Sequence, residues 1–141
     1  MRVMAIGAHP DDLEILCAGT LARYVTEGHE VVMCHIVDGD RGSCEHTRDE
    51  IRAIRDEEAR AAAAVIGAEN QALGVADGEV NASDPGQRAL LTEAIRVARP
   101  DVVIAHAPND YMTDHVEASR LALDTSFLAT LPLFETCLLY T

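Results

Sequence analysis

Short apolar runs alternate with longer segments of helical periodicity along the whole of this chain. The apolar runs predict β-strands at residues 3–8, 31–37, 71–74 and 102–105. The periodic segments predict helices over residues 12–27, 48–66, 85–99 and 116–128. Because strands and helices that alternate in this way form a parallel sheet with right-handed crossovers, we expect helices on both faces of one sheet.

The order of these elements predicts how the strands lie in the sheet. In the commonest doubly wound arrangement, strand one lies beside strand four, and strands two and three lie beyond strand one. We therefore expect an α/β, Rossmann-like three-layer sandwich with a mostly parallel sheet of order 3-2-1-4. Residues 1–141 contain no linker, repeat or low-complexity segment, which predicts a single domain. Ligands bind such sheets in the crevice outside the carboxyl ends of strands one and four.

Two of the predicted helices have apolar residues that we expect in the core. The first helix has its apolar face at Leu13, Leu16, Leu21, Tyr24 and Val25. In the second helix, Thr47 is placed to cap the amino end and Gly67 to end the helix. The residues of the second helix predicted to face inward are Ile51, Ile54, Ala61 and Val65.

The charge of the chain argues against two classes of partner. Its net charge is −13 and all 11 basic residues are arginine, so no basic stripe is available for nucleic acid or an anionic membrane surface. The first residues become charged too early for a signal peptide, and no apolar run has the length of a membrane span. We therefore expect a cytoplasmic protein. The cysteines form no CxxC pair and are expected to be reduced thiols: Cys17, Cys34, Cys44 and Cys137.

The segment GAHPDDLE, residues 7–14, directly follows the first predicted strand. It crowds three carboxylates beside His9, and carboxylates this close repel one another unless a positive charge lies among them. A bound cation would supply that charge. Taken alone, the pair Asp11 and Asp12 is more typical of helix capping. Glu14 is expected on the first helical turn, where its negative charge suits the helix N-terminus.

A second cluster of His and Asp follows strand four, in the segment HAPNDYMTDH, residues 106–115. The two loops meet at the predicted crevice, so His115 can converge on His9 and Asp12. Two imidazoles and one carboxylate are typical ligands of a catalytic zinc ion that keeps a position for water. Asp11 then remains beside that water as the general base. Asp114 is placed to orient the imidazole of His115.

The other histidines are not predicted to bind the metal. His29, His35 and His46 are scattered along the chain. His106 fits either a position behind the ligands or, preferably, a hydrogen-bonded histidine at a strand end. A phosphate site is excluded, because the first loop lacks the glycine spacing of a dinucleotide site and its carboxylates would repel a pyrophosphate.

The motif HPDDLE after the first strand, together with the later DYMTDH, resembles the LmbE-like (PIG-L) family of zinc-dependent de-N-acetylases. The resemblance covers essentially the whole chain, including IRDEEARAAAAVIGA and LGVADGE. It implies one zinc ion held by His9, Asp12 and His115, with Asp11 as the general base. It also implies that Arg55 and Asp77 contact the sugar substrate; ordinary surface positions would explain these two residues almost equally well.

The chain departs from the family in two respects. The family pattern DYHPDH has a histidine where this chain has Met112, and a methionine can neither stabilise an oxyanion nor protonate a leaving amine. Tyr111, the preceding residue, is the candidate substitute. Family members are also longer, which implies a C-terminal part, with a last strand and segments that cover the substrate, beyond residues 1–141.

The site and the resemblance together predict a zinc-dependent hydrolase that removes the acetyl group from an N-acetylated, GlcNAc-type sugar or a similar small amide. The expected partner is a small N-acetyl sugar or glycoconjugate, and self-association into a homo-oligomer stays open. One alternative is a metal hydrolase that acts on another ester or amide. The other is a metal- or ligand-binding module with little turnover, which Met112 and the short C-terminus keep open.

Overall fold

The computed structural model describes residues 1–136, and a four-stranded sheet forms its centre. The strands are β1 (Arg2–Gly7), β2 (Glu30–Val37), β3 (Glu69–Val75) and β4 (Val102–Ala105). They lie in the order β3-β2-β1-β4, and each neighbouring pair is parallel. The predicted α/β class and the predicted strand order are therefore confirmed.

Five helices accompany the strands within these residues, four between strands and the fifth after β4: α1 (Asp12–Leu16), α2 (Ala18–Thr26), α3 (Arg48–Ile66), α4 (Pro85–Ala98) and α5 (Thr113–Leu128). The segment predicted as one helix after β1 is divided at Cys17, where a φ of −142° and a ψ of 4° interrupt the helical backbone. Gly19, a residue with weak helix propensity, follows the break. On the other side of the break, Leu16 is exposed rather than in the core as predicted.

The core lies on both faces of the sheet, which gives the molecule three layers. Met4 and Ile6 of β1 pack on the side of α4 and α5, whereas Val3 and Ala5 pack on the side of the other helices. Alternate side chains of a strand point to opposite faces, so a strand covered on both faces is apolar throughout. This double burial is the physical reason for the apolar runs in the sequence.

Helix α3 begins and ends as predicted but buries a different face. Thr47 and Glu50 form a reciprocal capping box at its start, and Gly67 ends it with a φ of 76°. The buried residues are Ala59 and Ala63. Three residues predicted to face inward are exposed: Ile54, Ala61 and Val65. The prediction of this face was wrong because apolar side chains surround this alanine-rich helix, and small alanines allow the closest approach to the sheet.

The carboxyl ends of β1 and β4 lie side by side, with Ile6 paired to Ala105. The loops that follow these two strands, residues 8–11 and 106–112, therefore meet at one edge of the sheet.

Two further expectations concern the cysteines and membrane-spanning segments. Cys17, Cys34 and Cys44 are free thiols, and Cys137 lies outside the described residues. Across residues 1–136, each helix is either too short or too polar to cross a lipid bilayer.

Candidate functional site

A cleft with a volume of about 620 Å³ lies where the loops after β1 and β4 meet. His9 and Asp12 line it from the β1–α1 turn, and His115 lines it from the first turn of α5. One donor atom of each of these three residues lies within 4.8 Å of the other two. The structure thus brings the three predicted ligands together, and two imidazoles with one carboxylate at this separation suit a divalent ion such as zinc.

The β1–α1 turn is held by Asp12 and strained at Asp11. Asp12 Oδ2 accepts the backbone N–H of His9 at 2.7 Å, and the Asp12 N–H donates to the His9 carbonyl at 3.2 Å. Asp11 has a φ of +146°, a strained conformation for a residue with a Cβ. Its side chain makes no capping hydrogen bond to α1. Helix capping therefore does not explain Asp11, and backbone strain of this kind is typical of functional sites.

Asp12 is buried, yet its carboxylate stays ionised. Burial alone would raise the pKa of Asp12, but hydrogen bonds with His106 and His9 outweigh it and hold that pKa far below its usual range. The hydrogen bond with Asp12 in turn raises the pKa of His9, against the opposing effect of burial. The negative charges of Asp114 and Asp77 raise the pKa of His9 further. This excess of negative charge favours a bound cation.

His115 lies between two carboxylates. Its Nε2 is 3.2 Å from Asp12 Oδ1, and its Nδ1 is 3.2 Å from Asp110 Oδ2. Neither contact has the direction of a normal hydrogen bond, so both nitrogens of this buried ring lack a regular partner. Buried polar atoms are rarely left in this state. A metal ion at one nitrogen, with Asp110 accepting a hydrogen bond from the other, would satisfy both, so the residues present fit the metal.

His106 reaches the same site from the end of β4. Its Nε2 lies 3.0 Å from the backbone nitrogen of Ala8 and 3.2 Å from Asp12 Oδ2, so the ring contacts both the end of β1 and the β1–α1 turn. The ring also stacks on His115, with the centroids 4.1 Å apart. His106 therefore belongs to the site, which the sequence alone indicated only as one of two alternatives.

The structure places Asp114 beside His9 rather than beside His115. Asp114 Oδ2 lies 3.1 Å from His9 Nε2 and accepts the N–H of Gly78 at 2.8 Å. The position expected for Asp114, next to the His115 ring, belongs to Asp110. Sequence reasoning missed Asp110, although its place in the DYMTDH segment was a usable signal.

Asp11 lies beside the ligands without joining them. It lines the cleft, 53% of its side chain is exposed, and it is absent from the groups of donor atoms close enough to share an ion within residues 1–136. Arg55 of α3 also lines the cleft and donates from Nη2 to Asp11 Oδ2 at 2.7 Å. A carboxylate that lies beside candidate metal ligands and is accessible to solvent is suited to proton transfer.

Asp77, the second residue implied to contact sugar, lines the same cleft. Its carboxylate accepts the N–H groups of Gly39 at 3.1 Å and Arg41 at 3.3 Å. Asp77 therefore also joins the loop after β2 to the loop after β3.

Tyr111 and Met112 form the rim of the cleft on the side of α5. Tyr111 is 90% exposed, and its ring centroid lies 6.0 Å from that of His115. Met112 is partly exposed and precedes the first residue of α5. The cleft also has an apolar part of its lining, here called the apolar wall, which consists of Ile15, Leu16, Ile51 and Ile54.

A second group of carboxylates, formed by Asp38, Asp40 and Asp77, is close enough to hold an ion. Arginines already neutralise it: Asp40 pairs with Arg48 and Arg52, and Arg52 also lies 2.6 Å from Asp38. We interpret this group as an ion-pair network. The three histidines predicted as non-ligands join no candidate metal group within residues 1–136: His29, His35 and His46.

Comparison with known proteins identifies a family and several proteins that this chain is similar to. Residues 4–126 match the family described as GlcNAc-PI de-N-acetylase (PIG-L). The chain is 28% identical to the mycothiol S-conjugate amidase of Streptomyces coelicolor, over 87% of this chain and 50% of that protein. It is 27% identical to the 4-oxalmesaconate hydratase of Pseudomonas putida, over 89% of this chain and 52% of that protein. Among solved structures, the N,N'-diacetylchitobiose deacetylase of Pyrococcus horikoshii superposes with a TM-score of 0.86 at 30% identity, over 94% of this chain and 51% of that one.

The chain spans about half the length of the curated relatives it matches. The family match nevertheless includes both loops of the cleft, with HPDDLE in one and DYMTDH in the other. On this evidence of fold, motifs and match, the chain belongs to the GlcNAc-PI de-N-acetylase (PIG-L, LmbE-like) family.

Proposed function

We propose that this chain provides the active site of a zinc-dependent hydrolase that removes the acetyl group from an N-acetylated, GlcNAc-type sugar or a similar small amide. The observation that carries the proposal is the convergence of donor atoms from His9, Asp12 and His115 within 4.8 Å, beside Asp11. Family membership supports it, because similar proteins include an amidase and a chitobiose deacetylase.

We assign His9, Asp12 and His115 as the zinc ligands, and their neighbours select which ring nitrogens face the metal. Asp114 lies at Nε2 of His9, which leaves Nδ1, 3.4 Å from Asp12, for the ion. Asp110 lies at Nδ1 of His115, which leaves Nε2 on the side of Asp12. When bound, zinc supplies a Lewis acid that polarises the amide carbonyl and makes a water molecule more acidic.

Asp11 is proposed as the general base and then the general acid. Its carboxylate takes one proton from the attacking water while the water oxygen forms a bond to the carbonyl carbon. When the carbon–nitrogen bond breaks, Asp11 returns that proton to the leaving nitrogen. The products are acetic acid and a free amine, and the acid then loses the second water-derived proton to solvent as acetate, so atoms and charges balance. The exposure of Asp11 to the cleft supports this role.

Tyr111 is proposed to donate to the developing oxyanion, since the side chain of Met112 has no N–H or O–H group. Arg55 and Asp77 are proposed to contact the sugar, because both line the cleft.

The apolar wall suggests more about the substrate than the polar site alone. Ile15, Leu16, Ile51 and Ile54 offer no hydrogen bonds to a sugar hydroxyl, yet they line the same cleft as the proposed metal site. Burying an apolar group against such a wall is favourable by roughly 25 cal/mol per Å². We therefore favour a conjugate that joins the N-acetyl sugar to a less polar group over a free monosaccharide.

The deciding experiment is a substrate screen on zinc-loaded protein. N-acetylglucosamine, its alkyl and aryl glycosides, and N,N'-diacetylchitobiose are incubated with the protein, and both released acetate and free amine are measured. Equal amounts of the two products are expected, and Asp11→Asn serves as the matched control. Absence of both products with every N-acetyl compound would reject the proposed reaction.

The same screen distinguishes the alternatives. Cleavage of aryl esters or non-sugar amides alone would indicate a different metal hydrolase. Addition of water to an unsaturated dicarboxylate would indicate a reaction like that named for the Pseudomonas putida relative. Stoichiometric zinc without any turnover would indicate a binding module.

A further inference from the structure

The guanidinium group of Arg55 connects α3 to the strained turn at Asp11. Its Nη2 donates to the carbonyl of Pro10 and, at 2.7 Å, to Asp11 Oδ2. Its Nη1 donates to Glu58 at 2.8 Å. Only 26% of the Arg55 side chain is exposed. A single nitrogen therefore contacts both the backbone carbonyl that precedes Asp11 and the Asp11 carboxylate itself.

Gly39 makes room for this side chain. A Cβ atom at residue 39 would lie 2.8 Å from Cγ of Arg55, closer than two carbon atoms can approach without movement. The backbone there has a φ of +71° and is fixed by the hydrogen bond from the Gly39 N–H to Asp77. The loop after β2 thus forms one side of a slot for Arg55, and the turn after β1 forms the other.

Because the backbone of Asp11 is strained, its contacts with Arg55 bear on the conformation that it keeps. A residue with a φ of +146° keeps that conformation only when its surroundings hold it there. The Asp11 carboxylate is half exposed and makes no capping bond to α1, so the helix that follows does not fix its direction. Arg55 contacts the Asp11 carboxylate from helix α3.

We propose that Arg55 is a positioning residue, which holds the carboxylate of Asp11 where it exchanges protons with the reacting groups. The inference rests on the proposed function for its kinetic part, and it goes beyond the sugar contact implied for Arg55. A reacting group displaced by about 1 Å can lose about 100-fold in rate. Because Arg55 acts through Asp11, its loss lowers kcat, whereas loss of a sugar contact alone raises KM.

A double-mutant cycle tests this coupling. We expect Arg55→Ala to lower kcat about 10- to 100-fold, in addition to any rise in KM from loss of the proposed sugar contact. The double variant Asp11→Asn with Arg55→Ala is expected to be no slower than Asp11→Asn, because Arg55 then has no base to position. Arg55→Lys should restore part of kcat, since lysine keeps the charge but not the planar donor group. Zinc content, measured by elemental analysis, should be the same in all variants.

Two glycines provide a matched comparison that leaves Arg55 in the chain. Gly39→Ala should lower kcat in the direction of Arg55→Ala, because the new Cβ displaces the arginine. Gly74→Ala introduces a Cβ at a similar φ of +75°, but nothing lies within 4 Å of it. Both substitutions place a Cβ at a similar positive φ, so only Gly39→Ala, whose Cβ also meets Arg55, should reduce kcat. If Arg55→Ala fails to fold, this pair carries the kinetic test.

The contact between Arg55 and Asp11 is also tested without any substrate. Urea unfolding of Asp11→Ala, Arg55→Ala and the double variant should show a combined loss smaller than the sum of the single losses. Additive losses, a rise in KM at constant kcat, or an undiminished effect of Arg55→Ala in the Asp11→Asn background would each overturn the inference. Since unfolding needs no turnover, a protein that cleaves no N-acetyl compound would reject the proposed function while the Arg55–Asp11 contact is still decided.

Discussion

His106 lies flat against His115, with the ring centroids 4.1 Å apart and an angle of 14° between the ring planes. The stack joins the end of β4 to the first turn of α5. His115 therefore cannot rotate freely about its side-chain bonds without displacing a second buried ring. A ligand ring that is already oriented loses less conformational entropy when a metal binds.

Two overlapping groups of donor atoms share His115, and variants distinguish them. One group contains His9 and Asp12, the other His106 and Asp110. We expect His9→Ala to lose zinc on gel filtration. Asp110→Asn should still bind one zinc ion at saturation, with an affinity lowered about 10- to 100-fold, as is usual for a residue that orients a ligand. Elemental analysis and chelator competition measure both. The opposite pattern would assign the metal to the second group.

Asp11→Asn separates chemistry from metal binding. The amide has a similar shape but accepts no proton, so kcat should fall about 10²- to 10⁴-fold. Zinc content should hardly change, because Asp11 lies outside the donor group. Steady-state kinetics and elemental analysis on the same preparation are the measurements. If zinc disappears together with activity, Asp11 is a ligand and the roles of the two aspartates are exchanged.

The backbone strain at Asp11 predicts an unusual order of stability. At a φ of +146°, glycine is less strained than any residue with a Cβ. Asp11→Gly should therefore unfold at higher urea concentration than Asp11→Ala, by about 1 kcal/mol in the free energy of unfolding. Glu57 on the exposed side of α3 is the control, because Glu57→Gly should be about 1 kcal/mol less stable than Glu57→Ala. Equal stability of the two Asp11 variants would contradict the strain.

The direction in which Met112→His changes kcat distinguishes two mechanisms. If Tyr111 donates to the oxyanion, Tyr111→Phe should lower kcat about 10²- to 10³-fold. Met112→His should then be neutral or harmful, because the site is arranged around the tyrosine. If instead the missing histidine limits the reaction, Met112→His should raise kcat. Deacetylation kinetics with both variants decide between these outcomes, and a fully active Tyr111→Phe protein would remove Tyr111 from the mechanism.

The raised pKa of His9 predicts how zinc affinity depends on pH. Asp12, Asp114 and Asp77 favour the protonated ring, but zinc requires the neutral ring. The charge pairs of His9 stabilise the metal-free protein below the usual histidine pKa of about 6.5 and are lost as pH rises through the raised value. Zinc affinity should therefore increase over that same range.

Chelator competition between pH 5.5 and 8.5 measures this increase, with conditions chosen to span the usual histidine pKa of about 6.5. Asp114→Asn should move the midpoint to lower pH, because it removes a negative charge 3.1 Å from His9 Nε2. His46→Gln, an exposed histidine outside the cleft, should leave the midpoint unchanged. A midpoint that does not respond to Asp114→Asn would contradict the cause assigned here.

The fold was largely predictable, because its main signals are local. Burial on both faces leaves apolar runs in β1 and β2, the latter interrupted by the buried His35, and the caps at Thr47 and Gly67 depend on a few neighbouring residues. The buried face of α3 was not predictable in the same way. Its alanines and its larger apolar residues occur on several sides, and packing against the sheet selected Ala59 and Ala63.

The candidate site was likewise predictable in part. Motif spacing and strand order together predicted that His9, Asp12 and His115 would meet, because the carboxyl ends of β1 and β4 are neighbours. Which carboxylate contacts which ring was beyond sequence reasoning. That detail depends on the positive φ of Asp11 and on the path of the loop at residues 106–112, neither of which follows from residue spacing.

Cys34 is completely buried in β2, and burial raises the pKa of its thiol to about 12. Only the thiolate reacts with alkylating reagents or peroxide, so Cys34 does not react with them in the folded chain near neutral pH. Cys44, in the loop after β2, is exposed and open to the same reagents. The ratio of labelling at these two thiols therefore reports the fraction of molecules whose central sheet is transiently open, a native-state exchange measurement that needs no isotope.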